Sequence, residues 1–154
     1  MIRLSKLTDY AVVVLSRMSQ DAGAVHTAPA LARSTGVPEP TVQKCLKLLS
    51  KAALVASRRG AAGGYALARP AEAISVAEII AAMDGPIALT ACVDGASGGC
   101  GVERVCAMRG GWDRVNRAIK GALESVTLAD MAAPSCTTHL PGALTDFIPA
   151  GAGN

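Results

Sequence analysis

Three cysteines lie within a segment of 15 residues, at positions Cys92, Cys100 and Cys106. Glycines are frequent between them, so the backbone can turn freely and bring the three thiolates around one centre. Sulfur ligands of this kind suit zinc or an iron-sulfur cluster. The spacing does not choose between the two, although structural zinc sites usually contain closely spaced pairs of cysteines. The alternative, three unconnected thiols, is unusual in an exposed, glycine-rich loop.

Either kind of metal site requires a fourth ligand, and the cysteine loop contains no further cysteine or histidine. Oxygen, nitrogen and sulfur donors elsewhere in the chain, or in a second copy of it, are candidates: Asp9, His26, Asp94, Glu103, Cys136 and His139. An incomplete thiolate shell makes a cluster more labile, which suits a sensor. Cys45 lies on the apolar face of a predicted helix, so we expect it to be a small core residue.

The composition limits the class of protein that could hold this loop. Hydrophobic residues make up 51% of the 154 residues but aromatic residues only 3%, which favours closely packed helices and a mainly α fold. No apolar run approaches the roughly 20 residues that cross a membrane, and the first ten residues do not resemble a signal peptide. We therefore expect a cytoplasmic protein without a membrane partner, in which five cysteines are not a disulfide framework.

Charge is divided unevenly along the chain. Residues 1–70 contain ten Lys and Arg against three Asp and Glu, whereas residues 71–154 contain five against nine. The first half is thus suited to bind a polyanion, and the second half to another task. An uneven but merely solvated surface is the alternative.

Apolar spacing predicts helices over residues 8–19 and 39–51 of the basic half. A short helix over residues 28–34 is predicted between them, because Thr27 is a suitable N-cap, Pro29 fits the first turn and Gly36 ends the helix. The third places Val42, Cys45, Leu46 and Leu49 on one face and Lys44, Lys47 and Lys51 on the opposite face, with Thr41 and Gln43 at its margins. Two helices joined by a glycine-containing turn, the second with a cationic outer face, are typical of a helix-turn-helix. The lysines would bind phosphates, and Thr41 and Gln43 would reach base edges of double-stranded promoter DNA.

A β-hairpin is predicted directly after the third helix, with strands at residues 54–57 and 65–68. Its tip is basic and rich in glycine, and it contains Arg58 and Arg59. A hairpin in this place is a wing whose arginines contact the minor groove or phosphates. A nucleotide-binding loop is the alternative, but the glycine spacing is not that of a Walker motif and no helix follows at once.

The second half combines a short helix, the cysteine loop and a longer helix. Ser75 and Glu78 form a capping box that begins a helix reaching residue 83. Over residues 109–126, apolar residues recur at steps of three and four and form a seam: Trp112, Val115, Ile119, Ala122 and Val126. The simplest partner for such a seam is its own copy in a homodimer, although packing on its own domain is the alternative.

The predicted domains are therefore a winged helix-turn-helix at residues 1–70, a short helix and cysteine loop at 71–108, a dimerisation helix at 109–131 and a disordered tail at 132–154. We find no nucleophile and base pair typical of a catalytic site, so we expect neither an enzyme nor a small-molecule substrate.

Four segments together resemble the IscR/NsrR/SufR-type family of bacterial winged-helix iron-sulfur transcriptional regulators. They are residues 4–11 (LSKLTDYA), the wing at 59–70 (RGAAGGYALARP), the three-cysteine loop, and residues 123–131 (LESVTLADM). The resemblance covers about residues 1 to 130 and implies a homodimeric repressor that binds a [2Fe-2S] or [4Fe-4S] cluster, of which we favour [2Fe-2S]. It also implies that the target genes encode cluster assembly, in particular a Suf-type system.

The resemblance further implies that Cys92, Cys100 and Cys106 are cluster ligands, although the gap between the first two is longer than in the most familiar members. A fourth ligand that follows the third cysteine as a histidine in one branch is missing here, since Ala107 and Met108 follow. In another branch an acidic residue at the start of the first helix is donated by the opposite subunit, and Asp9 occupies that position. A zinc-containing winged-helix regulator is the runner-up interpretation. A small redox protein is a further one, but it leaves the cationic helix and wing without a role.

Overall fold

The computed structural model describes residues 3–21, 23–91, 93 and 111–133. Within them the chain forms α1 (Lys6–Ser19), α2 (Ala28–Thr35), α3 (Glu39–Lys51), β1 (Val55–Arg58), β2 (Gly64–Leu67), α4 (Val76–Asp84), α5 (Gly111–Glu124) and α6 (Leu128–Ala132). A 3-10 turn at Ala71–Ala73 links β2 to α4. The prediction of a mainly helical protein with one small β-hairpin wing is confirmed.

The first two helices begin and end at residues suited to those positions. Ser5 is the N-cap of α1, where its hydroxyl accepts a hydrogen bond of 3.1 Å from the Thr8 N–H. Thr27 caps α2 in the same manner, as the sequence predicted. Gly36 ends α2 with a φ of 74°, a left-handed conformation that glycine adopts without steric cost. The start of α1 and both ends of α2 are therefore specified by local hydrogen bonds.

The predicted capping box at the start of α4 is confirmed. The Ser75 hydroxyl accepts a hydrogen bond from the Glu78 N–H, and the Glu78 carboxylate accepts one of 3.0 Å from the Ser75 N–H. Arg69 donates a further hydrogen bond of 2.8 Å to Glu78. These hydrogen bonds lower the pKa of the Glu78 carboxyl, that from the Ser75 N–H most, followed by that from Arg69.

A hydrophobic core lies between α1, α2, α3 and α4, and α6 and the base of the hairpin close it. Its largest fully buried side chains come from each of these elements: Leu15, Met18, Leu31, Leu46, Leu49, Leu54, Ile74, Ile79 and Leu128. Cys45 is also fully buried in this core, which confirms the prediction that it is a small core residue. Burial raises the pKa of its thiol, so Cys45 stays protonated.

The dimerisation helix that the sequence predicted at residues 109–131 is divided. Among the described residues, α5 begins at Gly111 and ends at Glu124, and α6 begins at Leu128 as a separate helix. Thr127 caps α6 through a second capping box with Asp130, and a backbone bridge joins Thr127 to Ser75. Leu128 is fully buried because α6 turns back onto α1. The apolar periodicity ends at Val126, but the predicted dimerisation helix continued to residue 131 without a break.

Candidate nucleic-acid interface and metal-binding segment

Helix α3 has one buried face and one exposed face. Val42, Cys45, Leu46 and Leu49 are fully buried, whereas Gln43, Lys44, Lys47 and Lys51 are exposed and Thr41 is half-buried. Pro40 occupies the first turn, where its missing N–H costs no hydrogen bond. The arrangement that the sequence predicted for a recognition helix is therefore present, with its polar side chains open to solvent.

A carboxylate restrains one of these polar side chains. Gln43 Nε2 donates a hydrogen bond of 3.0 Å to Glu39 Oε1, one helical turn earlier. Glu39 lies in the first turn of α3, where a negative charge is favourable to the helix dipole. The pair fixes the direction of the Gln43 amide at the end of the helix that would approach base edges.

The wing places its two arginines at an exposed tip. Strands β1 and β2 are antiparallel, with Val55 opposite Leu67 and Arg58 opposite Gly64. Each strand lies one residue from the predicted position, so Arg58 ends β1 and Arg59 opens the loop. Both arginines are exposed. They are therefore available to a ligand outside the protein.

Close backbone contacts hold the wing to the rest of the domain. His26 and Tyr65 exchange two backbone hydrogen bonds of 2.8 Å, which attach β2 to the turn before α2. A Cβ atom at Gly64 would lie 2.5 Å from the His26 carbonyl oxygen, so only glycine fits there without a shift. His26 is thus a structural residue at the wing base, and its backbone rather than its imidazole makes these contacts.

No carboxylate of the described residues neutralises the cations of α3 and the wing. Between described residues, ion pairs join Arg17 to Asp21, Arg69 to Glu78 and Lys120 to Glu124. None of these involves the exposed lysines of α3 or the arginines of the wing. Their uncompensated charge suits a polyanion, and Coulomb attraction to phosphates supplies most of the non-specific affinity of DNA-binding proteins.

Some of the predicted metal-binding residues belong to the part of the chain that the structure describes, and others do not. Cys92, Cys100 and Cys106 lie outside the described residues, as do Asp94, Glu103, Cys136 and His139. Asp9 lies in the first turn of α1, with an exposed side chain that accepts no hydrogen bond from another described residue. The described part of the chain contains no cluster of three or more residues able to hold a metal ion. The described residues of its own protomer thus leave the Asp9 carboxylate available as a ligand.

Helix α5 presents an apolar face to solvent. Trp112 is 42% exposed and Val115 43% exposed, although both are large hydrophobic residues. Of the residues of α5, Asn116 is the one that is buried. Its side chain bonds the chain between α4 and the cysteines, accepting from the Leu89 N–H and donating to the Ile87 carbonyl oxygen. Trp112 and Val115, two members of the predicted apolar seam, are therefore left uncovered by the described residues, whereas Ile119 and Val126 are half-buried.

Comparison with known proteins gives this geometry a family. The model of the Rrf2 family, described as iron-dependent transcriptional regulators, matches residues 4–134. The chain belongs to the Rrf2 family. It is 30% identical to the HTH-type transcriptional regulator IscR of Escherichia coli over 132 residues, which are 84% of this chain and 80% of IscR. The resemblance to IscR-type regulators is confirmed.

Two solved Rrf2-like structures have the same fold. The structure of T. potens IscR is 30% identical, with a TM-score of 0.62, covering 84% of this chain and 85% of that one. The structure of CymR, the global cysteine regulator of B. subtilis, is 27% identical, with a TM-score of 0.65, covering 86% and 97%. This chain is accordingly a DNA-binding transcriptional regulator and not an enzyme. Within the described residues, no helix is long and apolar enough to span a membrane.

Two polar residues that sequence reasoning missed stand out in the structure. Asp84 and Asn116 each make hydrogen bonds to residues far away in the chain. For Asp84 the available signal was its position at the end of α4. A negative charge is unfavourable at a helix C-terminus, which indicates a compensating partner elsewhere in the fold. The signal for Asn116 was a polar residue next to Val115 on an otherwise regular amphipathic helix.

Proposed function

We propose that this Rrf2 protein is a homodimeric, cluster-sensing repressor of genes for iron-sulfur cluster assembly, in particular a Suf-type system, and that it acts in the cytoplasm. The observation that carries the DNA-binding part is the exposed, unpaired cationic face of α3 beside the wing. Thr41, Gln43, Lys44 and Lys47 act from the helix, and Arg58 and Arg59 from the wing. The cysteine segment and the similarity to IscR support the sensing part.

The donor set fits an iron-sulfur cluster better than a harder metal ion. Cys92, Cys100 and Cys106 supply soft thiolates, and Asp9 supplies an uncommitted carboxylate. A bound [2Fe-2S] or [4Fe-4S] cluster would connect these ligands, and this connection would depend on iron supply and redox state. We favour [2Fe-2S], with Asp9 donated by the opposite protomer.

The apolar face of α5 supports a homodimer. In a dimer, Trp112 and Val115 would be buried by packing against the same residues of a second copy. The two recognition helices would then bind two half-sites of one operator. With Asp9 at the start of α1, ligand binding by one protomer would act directly on the DNA-binding domain of the other. Loss of that link would change the separation of the recognition helices and release the operator.

Anaerobic purification followed by visible absorption, iron and sulfide analysis tests the cluster. Cys92→Ala, Cys100→Ala or Cys106→Ala should each abolish the visible absorption, whereas Cys45→Ala, which removes a buried core thiol, should retain it. Zinc without sulfide would establish the zinc-containing alternative. Promoter DNA binding with and without the cluster then gives the direction of control.

Asp9→Ala tests the fourth ligand. We expect a changed spectrum or a shorter cluster lifetime, while Asp21→Ala, an exposed acid just beyond α1, should leave both unchanged. An unaltered spectrum and lifetime in Asp9→Ala would reject Asp9 as a ligand.

For the dimer, Val115→Glu should produce a monomer in sedimentation velocity experiments, because a charge would be buried in an apolar seam.

The similarity to CymR favours a second candidate, a winged-helix regulator that senses without a cluster. The chain covers 97% of CymR, which is named as a cysteine regulator. This candidate predicts colourless protein under anaerobic conditions and DNA affinity that is the same in all three cysteine variants.

A further inference from the structure

The chain that leaves α4 and leads to the cysteines is held at its start and in its middle by side-chain hydrogen bonds. We call residues 85–91 the strap. Asp84 precedes it and contacts the start of α1, and Asn116 of α5 holds its middle. The strap therefore lies between the helix proposed for dimerisation and the first helix of the DNA-binding domain.

The Asp84 carboxylate is the anchor on α1. Its Oδ2 accepts a hydrogen bond of 2.7 Å from the Thr8 hydroxyl and one of 3.3 Å from the Ser5 N–H. Thr8 is fully buried although it is polar, and its hydroxyl also lies 3.0 Å from that of Ser5, the N-cap of α1. One carboxylate thus stabilises the whole first turn of α1, the turn that contains Asp9.

Local rules alone would not place an acid at position 84. Asp84 is the last residue of α4, where a negative charge opposes the helix dipole. At the N-terminus of α1 the same charge is favourable, and charge-assisted hydrogen bonds are stronger than neutral ones. Partial burial raises the pKa of Asp84, but the hydrogen bonds from Ser5 and Thr8 together lower it by more. The pKa is therefore below its ordinary value, and the carboxylate is charged.

Asn116 is the anchor on α5. Its side chain is 6% exposed, and its amide both accepts from the Leu89 N–H at 3.1 Å and donates to the Ile87 carbonyl oxygen at 3.0 Å. The amide thus satisfies the hydrogen-bonding needs of these two backbone groups, as the backbone of a neighbouring β-strand would. The strap is consequently attached to α5 by its backbone, and the attachment does not depend on the identity of its side chains.

We propose that Asp84 and Asn116 are positioning residues that make the strap a mechanical link between α5 and the first turn of α1. The inference rests on the proposed function, since this link is the route by which the cysteine segment and α5 would act on the DNA-binding domain of the same protomer. The two anchors work in series, so loss of either one breaks the link.

Hydrogen exchange of the protein without metal tests the link directly. Asn116→Ala removes an anchor that bonds the strap and not α1. We nevertheless expect the amides of Thr8 and Asp9 to exchange about tenfold faster in this variant, as they should in Asp84→Asn. Arg117→Ala on α5 and Glu72→Gln before α4 change exposed residues and should leave these amides at the wild-type rate. A wild-type rate in Asn116→Ala would overturn the proposal.

Operator binding supplies the second measurement. The ratio of the dissociation constants without and with the cluster should fall by about tenfold in Asp84→Asn and in Asn116→Ala, within the usual range of allosteric coupling. Because the anchors are in series, the double variant should lose no more than either single one. Additive losses would show that the two anchors do not act in series and would overturn the link. An unchanged ratio together with a lower melting temperature would show that both residues serve stability alone. Asp84→Glu should restore part of the ratio.

These measurements separate the two proposals. If the wild-type ratio is one, the cluster does not control DNA binding and the proposed function fails. The exchange of Thr8 and Asp9 in Asn116→Ala still decides in that case whether the strap joins α5 to α1, because it is measured without metal.

Discussion

Replacement of Lys47 by alanine should reduce the salt dependence of DNA binding by a calculable amount. Lys47 is exposed on the outer face of α3, opposite the buried Cys45 and Leu46, and it forms no ion pair with a described residue. Each phosphate neutralised by a protein cation contributes about 0.9 to the slope of log K against log salt concentration. In a dimer the substitution removes two such contacts, so the slope should become shallower by about 1.8.

That difference is large enough to measure by fluorescence anisotropy. When the salt concentration is raised from about 50 to 200 mM, the factor by which the DNA affinity falls should be about ten times smaller for Lys47→Ala than for the wild-type protein. Lys120→Ala is the matched control, because it removes the same charge from α5, where Lys120 lies 3.7 Å from Glu124. An unchanged slope for Lys47→Ala in a folded dimer, or an equal change for Lys120→Ala, would refute the assignment of α3 as the phosphate-binding face.

Three further predictions concern stability and the wing. Ala53→Gly should raise the free energy of unfolding in urea by about 0.5–1 kcal/mol, because Ala53 has a φ of 56°, and a loss of stability would contradict this. Gly64→Ala should weaken operator binding with little change in helix content by circular dichroism, since the added Cβ would collide with the His26 carbonyl oxygen and displace the wing; full affinity would contradict this. Glu78 has a lowered pKa, so the stability that its carboxylate contributes is present above pH about 4.5 and is lost as the pH falls through its lower folded value. Glu78→Gln should therefore lose less stability than wild type between about pH 5 and 3, and identical pH profiles would contradict this.

The sequence predicted the DNA-binding half well because local patterns specify it. The buried face of α3 follows from the spacing of its apolar residues, and the caps at Thr27, Gly36 and Ser75 follow from hydrogen bonds within a few residues. These interactions require no knowledge of the rest of the fold. The exposed lysines followed directly, since they lie opposite the apolar face.

The end of α3 shows where local patterns were insufficient. Ala53 adopts the left-handed conformation that usually indicates glycine, and the Leu54 N–H bonds the Leu49 carbonyl oxygen behind it. Leu49 and Leu54 are both buried in the core. Their packing holds the turn closed despite the unfavourable residue, so the turn depends on tertiary contacts.

The sequence by itself determined the mainly helical fold, the amphipathic α3 with its cationic face, the wing and the grouping of three cysteines. Periodicity, capping and charge act over short distances along the chain, and each can be recognised from neighbouring residues. Only the tertiary structure decided that α6 turns back onto α1 and that Asp84 bonds Ser5 across 79 residues. The physical reason is that such a bond depends on how α4 packs against α1. The free energy of that packing comes from the shared core, and the hydrogen-bonding residues themselves contain no local signal of it.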